Sequence, residues 1–437
     1  MTPSEVILLV GQAAQKTGLA RVTRAIAGHL ATDYDIHVLG IDCFEHPGSK
    51  RTASDWTLHG NPATYDVFAE LRLTELVDEI RPAIVVLYND LWVISRYFRR
   101  LEQAAHRSTI VGYCPIDGRI LSPDLVSSIR PLDALVVFTE FARSAVLACA
   151  EQEGLAQEEP FRSIQIIPHG LDAKVFHPWP SSEMDPAQRR LAARQALFPE
   201  QPELWEGFWV LNANRNQPRK RLDLTLEGFA IFAVDKQPGV RLYLHTGLNE
   251  LGIDIMSHAR ALGIVERLVL TGPGNDHPDL PTSKLNLIYN ACDVGVNTSS
   301  GEGWGLISCE HAATGAPQIV PRHSACAEIW DGAAELLTSV TTASNGIVEG
   351  GVIAVEDLAE SLERLYTDTH HYDHVAKAAY GRATNDNYRW NQIATRWRHL
   401  FEELHAQPRH QTESKAPARN VIDLKGESDG KVFYTEC

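Results

Sequence analysis

The 437-residue sequence predicts an α/β protein with two doubly wound, Rossmann-like domains that face each other across a cleft. Its length is too great for one ordinary core and suits two domains of about 150 to 200 residues each. Short apolar runs bounded by turn residues alternate with longer helical patterns, which is typical of parallel sheets built from βαβ units. The alternation begins again after the proline-containing segment 178–186, which has the composition of an interdomain linker.

The first domain is predicted over residues 1–177. Its strands are short apolar runs at residues 6–10, 36–39, 84–88, 109–113, 135–138 and 164–167. Helical periodicity is found at residues 19–30, 67–80, 91–106 and 140–153. These strands and helices are sufficient for one complete doubly wound domain.

The second domain is predicted over residues 178–387 and repeats the same pattern. Its strands are expected at residues 208–212, 241–246, 268–271, 294–297 and 318–320, with a helix at 355–367. A further helix within residues 388–406 is expected to return to the first domain. Residues 407–437 are polar, charged and without apolar periodicity, so we expect a flexible tail.

The composition narrows the possible functions and the compartment. With 56 acidic and 40 basic residues the formal charge is −16, so a nucleic-acid backbone would be repelled and no nucleic-acid partner is expected. The seven cysteines are scattered without a C-x-x-C pair, as in a reducing cytoplasm. The amino terminus has an apolar run of only five residues, and no window reaches the roughly 20 apolar residues of a membrane span.

The helix predicted at residues 91–106 begins LWVISRYFRRL, which is both aromatic and basic. One interpretation is peripheral contact with an anionic membrane at its inner, cytoplasmic face, or with an acidic acceptor. The other is a core helix that packs its aromatic rings inward and leaves its arginines in water. The expected location is the cytoplasm under either interpretation.

Two glutamates border a glycine-rich turn in the segment GEGWGLISCE, residues 301–310, directly after a predicted strand. The glycines allow a sharp turn and a close approach to a ligand, and helical character follows. Glu302 is then expected at the carboxyl end of the strand, where open α/β sheets bind ligands, and Glu310 about a turn into the helix. Such carboxylates accept hydrogen bonds from a polyhydroxy ligand. The alternative is an exposed loop glutamate and a helix glutamate favoured by the dipole.

A basic cluster follows the first strand of the second domain, in the segment NANRNQPRKR at residues 212–221. Its four basic residues lie within seven consecutive positions, although the protein as a whole is acidic. They are expected at the sheet edge where a diphosphate would bind. Arg215 and Lys220 would stabilise a phosphate leaving group there. The alternative is a solvated loop before a basic helix start, which opposes the helix dipole unless an anion is bound.

The first domain has a loop between its first strand and first helix, GQAAQKTGLAR at residues 11–21. It matches neither the G-x-G-x-x-G dinucleotide pattern nor the phosphate loop of nucleotide hydrolases, so neither kind of site is supported. Gly18 begins the helix and is expected to face the cleft. Arg21 either contributes there or is a surface residue.

Together these segments resemble glycosyltransferase family 4 of the GT-B fold class. The resemblance covers about residues 5 to 405 and depends on the order and spacing of its pieces. The matching pieces are Glu302 with Glu310, Arg215 with Lys220, residues 167–176 (IPHGLDAKVF), residues 138–144, the loop ending at Gly18, and residues 289–294.

The resemblance implies a retaining hexosyltransferase whose donor is a nucleotide-diphosphate sugar, with UDP or GDP as the expected nucleotide. Arg215 and Lys220 would hold the donor diphosphate. Glu302 would contact sugar hydroxyls, and Glu310 would accept a hydrogen bond from the ribose. The acceptor, a glycan, a lipid-linked molecule or a small molecule, would lie mainly on the first domain. The residues expected to line the sugar and phosphate are Gly303, Trp304, Gly305, Leu306 and Ile307.

One segment departs from the family pattern. Many relatives carry a histidine after the fourth or fifth strand of the first domain, where this chain has YCPIDG at residues 113–118. Asp117 is the candidate to take over the contact to the sugar, and the alternative is a turn residue. His169 is similarly open between a hinge residue and a residue of the cleft.

The reaction that the resemblance implies is a front-face displacement, in which a donor phosphate oxygen takes the acceptor proton while cations stabilise the leaving diphosphate. No metal or other cofactor is expected. The D-x-D match at residues 33–35 indicates a turn at the wrong sheet edge for a metal site. His370 and His374, spaced H-x-x-x-H, are expected to be exposed.

Two other functions remain open at this point. One is a sugar-nucleotide epimerase or hydrolase on the same scaffold, which would need a carboxylate and a histidine positioned for proton transfer. The other is a non-catalytic protein that binds a glycan or a sugar nucleotide. The basic loop and the two glutamates favour glycosyl transfer over both.

Overall fold

The computed structural model describes residues 5–15, 17–44, 51–53 and 55–406, with the backbone alone at residues 51–53. These residues form two compact units. The first contains the described residues up to Gly170 together with residues 346–348 and 390–406, and the second contains residues 171–345 and 349–389. The units divide between Gly170 and Leu171, whereas the sequence analysis expects the division after residue 177.

The first unit contains, in its described part, a sheet of eight strands. Its order is β3-β4-β2-β1-β5-β6-β8-β9, and β7 lies outside it. Strand β1 pairs in parallel with both β2 and β5, so the order reverses between β1 and β5, which is the switch point of a doubly wound sheet. The strands of the unit are β1 (Val6–Gly11), β2 (Asp35–Gly40), β3 (Arg51–Ala53), β4 (Trp56–Gly60), β5 (Ile84–Tyr88), β6 (Thr109–Cys114), β7 (Arg119–Ile120), β8 (Ala134–Val137) and β9 (Gln165–Ile166).

The six predicted strands of the first unit are confirmed, with ends that agree to within one residue. Their apolar side chains are buried, as Leu8, Val10, Val85 and Leu87 illustrate. Strand β4 is absent from the prediction because its sequence, WTLHG, has no continuous apolar run. Its parallel pairing with β2 therefore depends on tertiary contacts rather than on a local pattern.

The helices of the first unit begin at recognisable caps. The hydroxyl oxygens of Thr17 and Thr139 accept the N–H groups of Ala20 and Ala142, each at 3.1 Å, and start α1 and α5. Helix α2 begins three residues later than predicted because Ala69 has a left-handed backbone, with φ of 57°. The helices are α1 (Gly18–Leu30), α2 (Glu70–Ile80), α3 (Leu91–Leu101), α4 (Pro123–Ser128) and α5 (Glu140–Gln152).

The second unit contains a parallel sheet of six strands among its described residues, in the order β12-β11-β10-β13-β14-β15. Strand β10 pairs with both β11 and β13, so this sheet also reverses its order beside its first strand. All five predicted strands are confirmed, while β15, β16 and β17 are absent from the prediction. The strands are β10 (Trp209–Asn212), β11 (Arg241–Leu244), β12 (Leu268–Leu270), β13 (Val294–Val296), β14 (Gln318–Pro321), β15 (Glu335–Leu337) and an antiparallel hairpin of β16 (Ser339–Ser344) and β17 (Val348–Ile353).

Helices flank this second sheet, and the predicted helix at 355–367 is confirmed at both ends as α12. The predicted linker leads directly into α6, whose cap Asp185 accepts the N–H of Ala187 at 2.9 Å. The helices are α6 (Pro186–Leu197), α7 (Leu222–Ala233), α8 (Ile255–Ala261), α9 (Thr282–Ala291), α10 (Leu306–Ala312), α11 (Ser324–Ile329), α12 (Val355–Thr367) and α13 (Thr369–Ala383).

The last described helix, α14 (Trp390–Ala406), belongs to the first unit and packs against α1. Arg398 Nε lies 2.7 Å from Asp33 Oδ2, and Tyr34 meets Phe401 edge to face at 5.6 Å. Asp33 therefore serves as a partner of α14 in a turn, as the sequence analysis expects of the D-x-D match. The predicted tail, residues 407–437, lies outside the described residues.

A buried ion-pair network lies at the amino end of the second sheet. Arg194 Nη2 is 2.6 Å from Asp293 Oδ2, and Arg190 Nε is 2.6 Å from Asp293 Oδ1. The same carboxylate accepts the backbone N–H of Trp209 at 2.7 Å. Asp293 thereby connects helix α6 to the starts of β10 and β13.

Candidate functional site

Two loops meet at the carboxyl edge of the second sheet because β10 and β13 are neighbouring parallel strands. The first, residues 213–221, follows β10 and carries the basic cluster. The second, residues 297–305, follows β13 and carries the glycine-rich turn. The N–H of Ser300 donates to the carbonyl of Arg219 at 2.8 Å, and the Thr298 hydroxyl donates to the carbonyl of Arg221 at 2.8 Å. The fold thus joins two segments that lie far apart in the sequence.

Glu302 lies at the centre of this meeting and is only 1% exposed. Its Oε1 accepts hydrogen bonds from Lys220 Nζ at 2.6 Å, the Ser299 hydroxyl at 2.7 Å and Asn297 Nδ2 at 3.0 Å. Arg219 Nη1 lies 3.4 Å from Oε2. The alternative of an exposed loop glutamate at position 302 is therefore wrong.

The charge state of Glu302 follows from these contacts. Burial alone would raise the pKa of this carboxyl, but the cations Lys220 and Arg219, with hydrogen bonds from Lys220 and Ser299, lower it to about 2. Glu302 is therefore a carboxylate at neutral pH, which can accept hydrogen bonds and donates none.

The glycine-rich turn has the backbone that its sequence predicts. Gly305 has φ of +87°, a left-handed conformation that glycine adopts without strain, and α10 begins at the next residue. Trp304 is buried and meets Tyr388 edge to face at 5.3 Å. Gly303 is buried as well, whereas Leu306 and Ile307 are half-buried.

Glu310 is the fifth residue of α10 and is 3% exposed. The hydroxyl of Tyr289, on α9, donates to Glu310 Oε2 at 3.0 Å. Sequence analysis placed this glutamate about a turn into the helix, which the structure confirms, but it did not identify Tyr289 as a partner. That pairing depends on the packing of α9 against α10.

Arg215 has a different partner, which sequence reasoning missed. Its Nε and Nη2 donate to Glu250 Oε1 at 3.1 and 2.8 Å, and Glu250 Oε2 accepts the backbone N–H of Asn216 at 2.8 Å. The Arg215 side chain is 33% exposed, while that of Glu250 is 5% exposed. Glu250 follows β11, the neighbour of β10, and its place beyond the carboxyl end of a strand was the available signal.

The predicted residues of the first unit lie at a helix start and in a connecting segment. Gly18 is the first residue of α1, directly after its cap Thr17. Asp117 is half-buried in the segment between β6 and β7. The structure thus brings Lys220 into contact with Glu302, and it pairs Arg215 with Glu250 and Glu310 with Tyr289. The roles expected of Gly18 and Asp117 remain predictions.

His169 is a buried residue of the first unit, 1% exposed, among aromatic rings. Its Nδ1 lies 2.8 Å from the hydroxyl of Tyr113, and its Nε2 lies 3.3 Å from the hydroxyl of Tyr88. Burial lowers the pKa of His169 to about 3, so the ring is neutral at physiological pH. In this unit it acts as a core hydrogen-bonding residue.

Three further expectations concern metal and membrane. Over residues 5–15, 17–44, 51–53 and 55–406, no group of three or more metal-binding side chains is found, and His370 and His374 are exposed. No helix in that part of the chain is long and apolar enough to cross a membrane. Helix α3 buries Tyr97 and Phe98, as the core-helix interpretation expects.

Comparisons with known proteins identify a matching family and several relatives. A family described as "Glycosyl transferase-like" matches residues 253–399. Mannosylfructose-phosphate synthase of Agrobacterium fabrum is 29% identical over 169 residues, which cover 37% of this chain and 33% of that protein. The chain thus spans about a third of the length of the curated relatives that it matches first.

Solved structures share the fold over a larger part of the chain. Sucrose-phosphate synthase from Thermosynechococcus elongatus has a TM-score of 0.68 at 14% identity, covering 92% of this chain and 99% of that one. Anabaena HepE in complex with UDP and glucose has a TM-score of 0.64 at 13% identity, covering 92% of this chain and 100% of that one. At these identities the likeness shows the fold, which is of the GT-B type. The chain thus resembles glycosyltransferases in the sequence of residues 253–399 and has the GT-B fold.

Proposed function

We propose that this protein is a retaining glycosyltransferase of family 4, which transfers a hexose from a nucleotide-diphosphate sugar to a hydroxyl acceptor. The observation that carries the proposal is the buried contact of Lys220 Nζ with Glu302 Oε1, at 2.6 Å. A cation suited to a phosphate and a carboxylate suited to sugar hydroxyls are adjacent there. They lie at the carboxyl edge of a parallel sheet, where α/β proteins bind ligands.

Lys220 and Arg215 bind the donor diphosphate in this proposal. A guanidinium matches the paired oxygens of a phosphate, and an ammonium supplies a compact positive charge. Both cations contact carboxylates, Glu302 and Glu250, so donor binding shares or exchanges those contacts. In a chain with a formal charge of −16, this basic loop supplies the local attraction for a dianionic diphosphate.

The two glutamates bind the hexose and the ribose of the donor. Glu302 remains ionised and accepts hydrogen bonds from hydroxyls of the transferred hexose, while Glu310 accepts one from the ribose. The backbone and side chains of residues 303–307 line the sugar and phosphate. Gly305 has a left-handed backbone, which residues with a side chain adopt only with strain. Because glycine has no side chain, the backbone there can also approach the ligand closely.

The reaction is a front-face displacement. The bond between the anomeric carbon and the acceptor oxygen forms on the face from which the diphosphate departs, so the configuration is retained. A phosphate oxygen of the donor takes the acceptor proton, and the nucleoside diphosphate leaves with it. Lys220 and Arg215 stabilise the charge that develops on the leaving group, an effect commonly worth about 10² to 10³ in rate. We expect no required metal or other cofactor.

UDP is the first donor nucleotide to test and GDP the second, because the fold neighbour Anabaena HepE forms a complex with UDP and glucose. The acceptor is a glycan, a lipid-linked molecule or a small molecule, bound mainly by the first unit. Gly18 and Asp117 of that unit contact the donor in this proposal, Asp117 through its sugar. The proposed location is the cytoplasm, including peripheral contact with the inner face of the membrane.

The test begins with thermal stabilisation by UDP-, GDP-, ADP- and dTDP-sugars, since a ligand at 100 times its dissociation constant adds about 2.7 kcal/mol. We expect a shift with one nucleotide class that is lost in Lys220→Ala and Arg215→Ala. The matched control is Lys284→Ala, an exposed lysine on α9. Release of nucleoside diphosphate with an acceptor panel, unchanged by EDTA, then measures transfer. No shift with any donor and no release would reject the proposal.

A further inference from the structure

In the first unit, the loop after β1 directs three successive backbone N–H groups at one carboxylate. Ala13 donates to Asp42 Oδ1 at 2.8 Å, and Gln15 donates to Asp42 Oδ2 at 2.8 Å. The N–H of Ala14 lies between them, 3.0 Å from Oδ1 and 3.1 Å from Oδ2. Successive N–H groups that converge in this way form an anion-binding concavity. Here the anion is the protein's own side chain.

An arginine donates hydrogen bonds to two carbonyl oxygens of the same loop. Arg24, on α1, donates through Nη1 to the carbonyl oxygens of Ala13 at 2.8 Å and Gln15 at 2.9 Å. The Ala13 carbonyl shares its peptide group with the N–H of Ala14, so this contact helps to hold that N–H toward Asp42. The loop therefore has both backbone donors and a nearby cation, which is the chemistry that a phosphate would use.

The position of this concavity in the fold connects it to ligand binding. The loop leaves the carboxyl end of β1, at the switch point between β1 and β5, where open α/β sheets bind ligands. Asp42 is half-buried and lies two residues beyond the end of β2. The carboxylate thus occupies an anion position at the ligand-binding edge of the first unit.

We propose that Asp42 is a specificity-determining residue, which fills the anion position of the first unit and thereby selects acceptors with uncharged hydroxyls over phosphorylated ones. This inference rests on the proposed function, because it takes the first unit as the acceptor side. A phosphate at this edge would be repelled by the carboxylate and would have to displace it from three N–H groups. An uncharged polyol requires no such displacement.

The first experiment uses inorganic phosphate as the probe and requires no turnover. The melting temperature of Asp42→Ala is measured against phosphate concentration at constant ionic strength, beside wild type and Asp55→Ala, which removes an exposed charge in the same unit. We expect phosphate to bind Asp42→Ala at least about fivefold more tightly than either, since close like charges repel even in water. The gain should disappear in the double variant Asp42→Ala/Arg24→Ala.

Asp42→Asn extends the experiment, because it removes the charge and keeps a carbonyl oxygen to support the loop if the alanine variant fails to fold. A folded Asp42 variant with the phosphate affinity of Asp55→Ala would overturn the inference and leave Asp42 a purely structural tether. The same conclusion follows if the gained binding survives the loss of Arg24. Because phosphate can also bind the basic loop of the second unit, only the gain over wild type is interpreted.

The second experiment compares free sugars with their phosphates as acceptors, for example glucose with glucose 6-phosphate. Wild type should favour the uncharged member of a pair, and Asp42→Asn should raise kcat/KM for the phosphorylated member relative to the uncharged one. A wild type that favours the phosphates, with a ratio unchanged in Asp42→Asn, would overturn the inference. If no pair turns over, the acceptor is another kind of molecule, and the phosphate titration alone decides the role of Asp42; the proposed function is judged separately, by donor binding and nucleoside diphosphate release.

Discussion

The loops that follow the first strand of each unit both surround a carboxylate, but they do so with different donors and in different surroundings. In the first unit, backbone N–H groups of residues 13–15 surround the carboxylate of Asp42, which is half-buried. In the second unit, the side chains of Lys220 and Arg219 surround the carboxylate of Glu302, which is 1% exposed. Two sheets of similar topology thus place an anion at equivalent edges.

The two carboxylates differ in whether water can replace the partners that a substitution removes. A half-buried carboxylate can be hydrated when its partners are lost, so its contacts are weak contributors to stability. A buried ion pair has no such substitute, and the loss of one member leaves an uncompensated charge. Substitutions at the second loop are therefore expected to lower the free energy of unfolding strongly. Substitutions at the first loop are expected to lower it little.

The largest effect is expected from Lys220→Met. Glu302 would then be a buried charge without its ammonium partner, so we expect the second unit to lose about 3 to 5 kcal/mol of unfolding free energy. Transfer should fall by about 10² to 10³, because the leaving diphosphate loses a cation. The double variant Lys220→Met/Glu302→Gln should recover most of the stability and none of the activity. Urea unfolding measures the stability, and kcat measures transfer. If the single and double variants were equally unstable, the buried charge of Glu302 would not be the cause of the instability.

A similar loss of stability without loss of donor binding is expected from Arg194→Met. The pair of Arg194 with Asp293 is as buried as that of Lys220 with Glu302, but it lies at the opposite, amino end of the sheet. We expect about 3 to 5 kcal/mol of destabilisation and an unchanged dissociation constant for the donor. Urea unfolding and donor titration test this, and weakened donor binding would show that the two sheet ends are not independent.

The third prediction concerns acid. The pKa of Glu302 is lowered to about 2 in the folded protein from an ordinary value of 4.5, so its contribution is complete above pH 4.5 and is lost as the pH falls toward 2. The difference in unfolding free energy between wild type and Glu302→Gln should therefore shrink by about 3 kcal/mol over that range. Unfolding at pH 7, 5, 4, 3 and 2 measures it. A constant difference would mean that Glu302 is not held as a carboxylate.

A smaller effect is expected at Glu250, which orients Arg215. Glu250→Gln removes a charged acceptor, worth about 1 kcal/mol, and should weaken donor binding by about fivefold without a change in kcat. Titration with the donor and steady-state kinetics separate these quantities, with Arg260→Ala on exposed α8 as the control. Tighter donor binding would instead mean that Glu250 competes with the diphosphate for Arg215.

The smallest effect is expected in the first unit. Asp42→Ala should cost at most about 1 kcal/mol of unfolding free energy, because two of its three donors belong to exposed residues, Ala14 and Gln15, whose N–H groups water can hydrate. Urea unfolding beside Asp55→Ala measures this cost. A loss as large as that of Lys220→Met would remove the distinction between the two loops.

Local patterns in the sequence were sufficient to predict most helices and strands and to place the candidate residues on loops or helices. Helix α12 has the predicted ends because its apolar side chains recur with helical period. The glycine-rich turn was predicted correctly because left-handed backbone favours glycine at position 305. Strand β4 and the short strand β15 were missed, since their pairing is decided by neighbours rather than by their own few residues.

The sequence by itself determined two largely parallel sheets, a basic loop after β10 and two glutamates separated by seven residues around the start of α10, because periodicity, glycine content and local charge act over short segments. Only the tertiary structure decided the partners of these charges. Lys220 meets Glu302 because β10 and β13 are adjacent, Arg215 meets Glu250 because β10 and β11 are adjacent, and residues 13–15 meet Asp42 because β1 and β2 are adjacent. Strand order in a sheet is a long-range property, and it therefore selects which distant loops share an edge.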